Sequence, residues 1–286
     1  MTAAIQELLG LLDLEEIEEN TFRGSSPKHR VQRVFGGQVL GQALAAAGRT
    51  VADRLCHSLH AYFLRAGDPK SPILYEVDRS RDGASFTSRR VVAIQHGRPI
   101  FTLEASFQRE ESGYEHALEM PRAPDPETLE SDAALRARVA DRLPAGLREW
   151  AMRPRPFEMR PVEPRAYFAP LKRPPQEMLW LRATDEVPAN SALQQCLLAY
   201  ASDMSLLDTG LLPHGIGWFD NKVQMASLDH AMWFHRPFRV DEWMLCVQDS
   251  PSTSGARSLN RGLIFTRDGR LAASVAQEGL MRPRRT

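Results

Sequence analysis

A chain of 286 residues, 43% hydrophobic and 25% charged, exceeds the usual size of one domain and suits two of modest size. Its 36 basic and 36 acidic side chains cancel, which argues against nucleic acid or an anionic membrane surface as the main partner. Cys56, Cys196 and Cys246 are far apart and odd in number. They exclude a disulfide framework and a Cys-x-x-Cys metal site, and they fit a reducing compartment. The N-terminal residues lack a basic region followed by an apolar core, and no run approaches membrane-span length. A cytoplasmic protein is the expectation.

Ile5, Leu8, Leu9 and Leu12 fall at helical spacing and predict an amphipathic helix over 3–13. Residues 17–25 read as a strand. Phe35-Gly36-Gly37 leads into an Ala- and Leu-rich run, 38–47, expected to be a helix buried on most sides. Glycines there allow close backbone approach and leave N–H groups at a positive helix end. They serve either tight packing or the binding of a substrate carbonyl or phosphate. Alternating runs over 58–64, 73–80, 85–96 and 99–109 predict four antiparallel strands, separated by Gly- and Pro-containing turns. One helix followed by four such strands is the order of a sheet wrapped around a helix. Prolines at 121, 124, 126, 144, 154 and 156 then mark 111–156 as a connector around one helical stretch, 133–141.

A second pass repeats that order, with strands over 157–162 and 177–183, a helix over 192–207, and strands over 225–234, 242–248, 256–266 and 271–281. At an offset of 172, Gly83, Ala84, Arg89, Gly97 and Arg98 recur as Gly255, Ala256, Arg261, Gly269 and Arg270. At an offset of 170, His60-Ala61 recurs as His230-Ala231. The chain therefore reads as a degenerate internal duplication, with divisions at 1–110, 111–156 and 157–286. At these registers Ser227 matches His57 and Gln277 matches Ala105, so one working site per chain, in the second half, is expected.

The stretch 225–237 mixes Ser227, Asp229, His230 and His235 with Leu228, Met232, Trp233 and Phe234. Alternation places Leu228, His230, Met232 and Phe234 on one face and Ser227, Asp229, Ala231, Trp233 and His235 on the other. Such a strand has one packed face and one bordering a polar site, or it is a buried strand whose polar groups bond within the fold.

Five segments, Val34-Phe-Gly-Gly-Gln-Val-Leu-Gly-Gln-Ala, His57-Ser-Leu-His-Ala-Tyr-Phe-Leu-Arg, Tyr200-Ala-Ser-Asp-Met, Leu228-Asp-His-Ala-Met-Trp-Phe-His-Arg-Pro-Phe and Ala276-Gln-Glu-Gly-Leu-Met-Arg, resemble the acyl-CoA thioesterase II family. The resemblance runs nearly end to end and is weakest in the connector. It implies an α+β double hotdog fold, two tandem repeats each with an antiparallel sheet wrapped around a central helix. It also implies hydrolysis of fatty acyl-CoA to free fatty acid and CoA, without a cofactor, and a homo-oligomer, either a dimer or a dimer of dimers. The family's catalytic trio falls on Asp203, Ser227 and Gln277, with Ser where some members carry Thr. Asp203 would accept a proton from water while Ser227 and Gln277 hold the water or polarise the carbonyl. Gly36, Gly37 and His57 are the candidate substrate-binding residues, although for His57 a structural role is favoured over a catalytic one. The histidines lack metal-ligand spacing, so no metal is expected. Two alternatives stay open: a non-catalytic acyl-CoA or lipid-binding hotdog protein, and a hotdog enoyl-CoA hydratase. The hydratase pattern needs His five residues after the Asp, where this chain has Asp208.

Overall fold

The computed structural model describes residues 1–27, 33–168 and 170–284. Helix α1 (Ala3–Leu12) starts at Thr2, whose hydroxyl accepts from the Ile5 N–H, and buries Ile5, Leu8, Leu11 and Leu12. The single strand expected over 17–25 is a hairpin, β1 (Glu15–Glu18) and β2 (Thr21–Gly24). It turns at Asn20, φ +65°, a residue type that tolerates the left-handed region. Helix α2 (Gly36–Arg49) and strands β3 (Leu55–Phe63), β4 (Ile73–Asp82), β5 (Phe86–Gln95) and β6 (Arg98–Gln108) complete the first half.

The connector holds two helices where one was expected, α3 (Asp132–Val139) and α4 (Ala145–Met152). The prolines that disguised α4 flank it, with Pro144 at its N-cap position. Connector residues clasp the second half. Trp180 Nε1 donates to Pro124 O, Arg160 to Pro126 O and Leu129 O, and Arg267 pairs with Asp125 and Glu127.

Strands β7 (Phe157–Pro161) and β8 (Gln176–Ala183), helix α5 (Ser191–Ser202), and strands β9 (Val223–Ser227), β10 (Asp229–Phe234), β11 (Met244–Ser254), β12 (Arg257–Thr266) and β13 (Leu271–Pro283) follow. The expected helix over 192–207 stops at Ser202. The chain turns at Asp203 and resumes as a 3-10 helix, Leu206–His214.

One sheet runs through the molecule in the order β1-β2-β4-β5-β6-β3-β10-β13-β12-β11-β8-β7. Antiparallel pairing of β3 with β10 joins the halves. Outward from that seam the order is β3, β6, β5, β4, β2 on one side and β10, β13, β12, β11, β8 on the other, so the repeat is real. The larger apolar core includes Leu40 and Ala43 of α2, Leu197 and Leu198 of α5, and Leu59, Phe101 and Met232 of the strands, and a smaller cluster gathers Trp180, Trp243, Leu245 and Phe265. No helix among the described residues is long and apolar enough to cross a membrane.

Two of the residue coincidences behind the duplication do not survive folding. Arg89 is 2% exposed and faces the helices, whereas Arg261 lies on the outer face. His60 is exposed, whereas His230 is fully buried. A shift of 171 keeps inward positions inward, matching Thr87, Arg89 and Val91 to Ser258, Asn260 and Gly262, and Leu59 to His230. Since the side-chain period of a strand is two, an error of one residue swaps faces. From β6 to β13 the shift of 172 does hold, and Ala105 and Gln277 both face inward.

Candidate active site

Asp203 occupies the C-cap of α5 (φ −84°, ψ −2°). Its side chain crosses to the start of α2, where Oδ2 accepts from the Gly37 N–H at 2.8 Å. The N-cap of α2 is Phe35, which offers no side-chain acceptor, so Asp203 caps α2 from the neighbouring helix. The glycines permit that approach. A Cβ on Gly36 would lie 2.7 Å from Asp203 Oδ2, and one on Gly37 would lie 2.3 Å from Tyr200 O. Gly37 thus binds the carboxylate through its own N–H, and close packing of α2 on α5 explains the pair.

Two more groups converge on Asp203 Oδ1: Gln277 Nε2 donates at 2.6 Å and Ser227 Oγ at 3.2 Å. Gln277 is fully buried on the inner face of β13, and its Oε1 has no hydrogen-bond partner among the described residues. Burial pushes the Asp203 carboxyl up to about 6, against the opposing pull of Gln277, Ser227, the Gly37 N–H and Arg33. A carboxylate poised near neutral pH beside a hydroxyl and a carboxamide is suited to take a proton from water.

Alternation from the sequence placed Ser227 on the face of Asp229, and the structure corrects this. Ser227 pairs with Gly279 and Ala231 with Ala276, so one extra residue enters the strand between them. That bulge separates β9 from β10 and turns Ser227 to the inner face, the side of His230, Met232 and Phe234. Sequence alternation runs on through Leu228 without a sign of the slip.

His230 anchors the same strand to α5. Ser202 Oγ donates to Ala199 O at 2.9 Å, so the 2.9 Å contact to His230 Nε2 is an N–H donated by the imidazole. Burial pushes His230 down to about 3, which keeps it neutral.

His57 is not brought to this cluster. It lies near the start of β3, bonded to Ser106 Oγ at 2.8 Å and edge-on to Phe86. Phe63, at the far end of β3, is the residue beside the Asp203 site. The bond to Ser106 and the packing on Phe86 fit the structural role favoured for His57. Asp208, the residue at the hydratase position, pairs with Arg165 at 2.9 Å. Among the described residues no group of three or more His, Cys, Asp or Glu side chains is placed to hold a metal ion. The sequence reading missed the capping of α2 by Asp203. The signal was present, since Phe35 is a poor N-cap ahead of two glycines.

Residues 149–280 match the family model described as acyl-CoA thioesterase, and residues 25–108 match that of the acyl-CoA thioesterase N-terminal domain. The chain is 43% identical over 281 residues to human acyl-coenzyme A thioesterase 8, covering 95% of this chain and 88% of that protein. It is 41% identical over 283 residues to acyl-CoA thioesterase 2 of Haemophilus influenzae, covering 99% of each. Among solved structures, an acyl-CoA thioesterase II from Mycobacterium marinum is 44% identical and superposes with a TM-score of 0.79 over 97% of this chain and 98% of that one. A protein described as having a hot dog fold, from Alicyclobacillus acidocaldarius, superposes with a TM-score of 0.77 at 18% identity over 98% of this chain and 99% of that one, a likeness of fold alone.

Proposed function

The chain belongs to the acyl-CoA thioesterase family and is a double hotdog hydrolase of acyl-CoA thioesters, and from that premise we propose that Asp203, Ser227 and Gln277 carry out the reaction on fatty acyl-CoA through an activated water. The observation that carries this reading is the convergence of Ser227, Gln277 and the Gly37 N–H on one buried carboxylate.

A thioester carbonyl is electrophilic and a thiolate leaves readily, so an oriented water is a sufficient nucleophile. Asp203 takes a proton as the water oxygen bonds to the carbonyl carbon. Gln277 Oε1, buried without a partner among the described residues, accepts the water's other hydrogen, and the Ser227 hydroxyl steadies the developing charge. The C–S bond then breaks, and the thiolate of CoA leaves with the proton held by Asp203. Free fatty acid and CoA are the products. Gly36, where a side chain would crowd both Asp203 and Phe63, is on this reading the residue bordering the reacting carbonyl.

This reading divides the chain into an N-terminal hotdog domain (1–110), a connector (111–156) and a C-terminal hotdog domain bearing the catalytic residues (157–286). It places the protein in the cytoplasm, with three buried unpaired cysteines as support. It also makes the protein a homo-oligomer, supported by apolar side chains left exposed at Tyr62, Leu64 and Phe86. Sedimentation at a monomer mass would remove that last point. The central test is thiol release from short to long acyl-CoAs by wild type and Asp203→Asn. Release by wild type alone supports the site, and equal release by both removes Asp203 from the mechanism.

A further inference from the structure

Asp229 lies beside Ser227 in sequence but bonds elsewhere. Leu228 and Asp229 together oppose Glu278, which is the site of the extra residue. In an unbroken ladder two such opposed residues, Leu228 and Glu278, would exchange a pair of main-chain bonds. One of them is made, from Leu228 N to Glu278 O at 2.9 Å. The Leu228 carbonyl turns instead to β3 and accepts from Phe63 N at 2.9 Å. Glu278 N donates to Asp229 Oδ1 at 2.7 Å. A side-chain carboxylate therefore stands in for the main-chain carbonyl that the bulge has drawn away. Its effect is on phase. Ser227 on one side of the bulge and His230 on the other both face the helices, which a regular strand forbids. The amide held by Asp229 also follows Gln277 directly in β13.

We propose that Asp229 is a positioning residue for thioester hydrolysis, its side-chain oxygen completing the bulge between β9 and β10 and so holding Ser227 and Gln277 on Asp203. This rests on the reading of Asp203, Ser227 and Gln277 as the hydrolytic site. The bond needs an acceptor and not a charge, so an asparagine, which offers the same oxygen, can replace the aspartate. A shorter side chain cannot reach the amide and frees the strand to move.

The test measures kcat and KM by thiol release for Asp229→Asn, Asp229→Ala, Ser227→Ala and the double variant Ser227→Ala/Asp229→Ala. Asp229→Asn is expected to keep a kcat near wild type. Asp229→Ala is expected to lower kcat on the order of 10²-fold with little change in KM, the scale for a reacting group displaced by about 1 Å. The double variant is expected to lose clearly less than the product of the two single losses, since part of the effect of each passes through Ser227. Equal loss in Asp229→Asn and Asp229→Ala would assign the effect to the charge and overturn the proposal. So would wild-type kcat in Asp229→Ala, or additive losses in the double variant. Should Asp229→Ala fail to melt cooperatively, Asp229→Ser takes its place with the same outcomes. If Asp203→Asn and Ser227→Ala themselves retain full turnover, the hydrolytic reading fails. If those two are inactive and Asp229→Ala is not, only the positioning role fails.

Discussion

Strand β3 of the first half and the strand pair β9–β10 of the second each admit one extra residue at corresponding places, and the two bulges present different chemistry to the helices. In β3 the register with β6 slips at His57, and Cys56 turns inward opposite Phe107. In the second half Ser227 turns inward opposite Gly279. The counterpart of Ser227 is therefore Cys56, not the His57 matched by sequence offset. Among the described residues Cys56 bonds to Gln195 and Ser58, not to an acid. Its N–H donates to Gln195 Oε1 at 3.1 Å, and its carbonyl accepts from Gln195 Nε2 at 2.7 Å. Ala105 stands where the second half has Gln277. The C-cap of α2 is Thr50, held by the buried Arg89, where α5 ends in Asp203. The bulge supplies the geometry in both halves, and the side chains around it decide whether that geometry becomes a site or packing.

The largest effect expected from this contrast is at Asp203. Asp203→Asn should lower turnover by about two to four orders of magnitude in a thiol-release assay, the scale for loss of a general base. Adding Cys56→Ser and Ala105→Gln to that variant should restore nothing, because the first half has no carboxylate at its helix end. Restoration would break the comparison. Next come Ser227→Ala and Gln277→Leu, each expected to cost on the order of 10²-fold in kcat with the fold intact by circular dichroism.

A pH profile sharpens the assignment without mutation. Asp203 works as the anion, and burial raises its pKa to about 6. Activity should therefore be full above that value and fall about tenfold per unit as pH drops below it. His230 stays neutral throughout this range and adds no inflection. The smallest expected effect lies at the bulge of the first half, which Gln195 of α5 holds from across the seam. Gln195→Leu strands the buried main-chain groups of Cys56 and should cost about 1–3 kcal/mol in urea unfolding, while kcat of the folded enzyme holds.

Much of this was legible in the sequence, for identifiable reasons. Alternation and Gly-containing turns locate strands well because burial on one face imposes a period of two. They recovered β3 to β6, β12 and β13 to within three residues, and ended β11 six residues early. The proposed trio came only through the resemblance of long motifs, since Asp203, Ser227 and Gln277 come from three separate elements and share no local spacing. The bulges were not legible. Residues 225–234 alternate without interruption, and the slip at Leu228 follows from main-chain bonds to β3 and β13. For the same reason the match of Arg89 to Arg261 looked like homology although the two side chains point to opposite faces. Helix α4 and the 3-10 helix Leu206–His214 were hidden by Pro144 and Pro213, residues read as breakers.

The hydrogen bond from Gly37 to Asp203 carries a consequence for how such a gene can be divided. The Asp203 carboxylate belongs to one repeat and the Gly37 amide that holds it belongs to the other. A fragment translated from 157 onward would carry Asp203, Ser227 and Gln277, yet the acid would lose the Gly37 donor and β10 would present a bare edge. Two fragments expressed apart would be silent until they reassociated along β3 and β10. Fusion into one reading frame makes that encounter intramolecular, and it lets the first repeat support Asp203 through Gly37 without carrying an acid of its own.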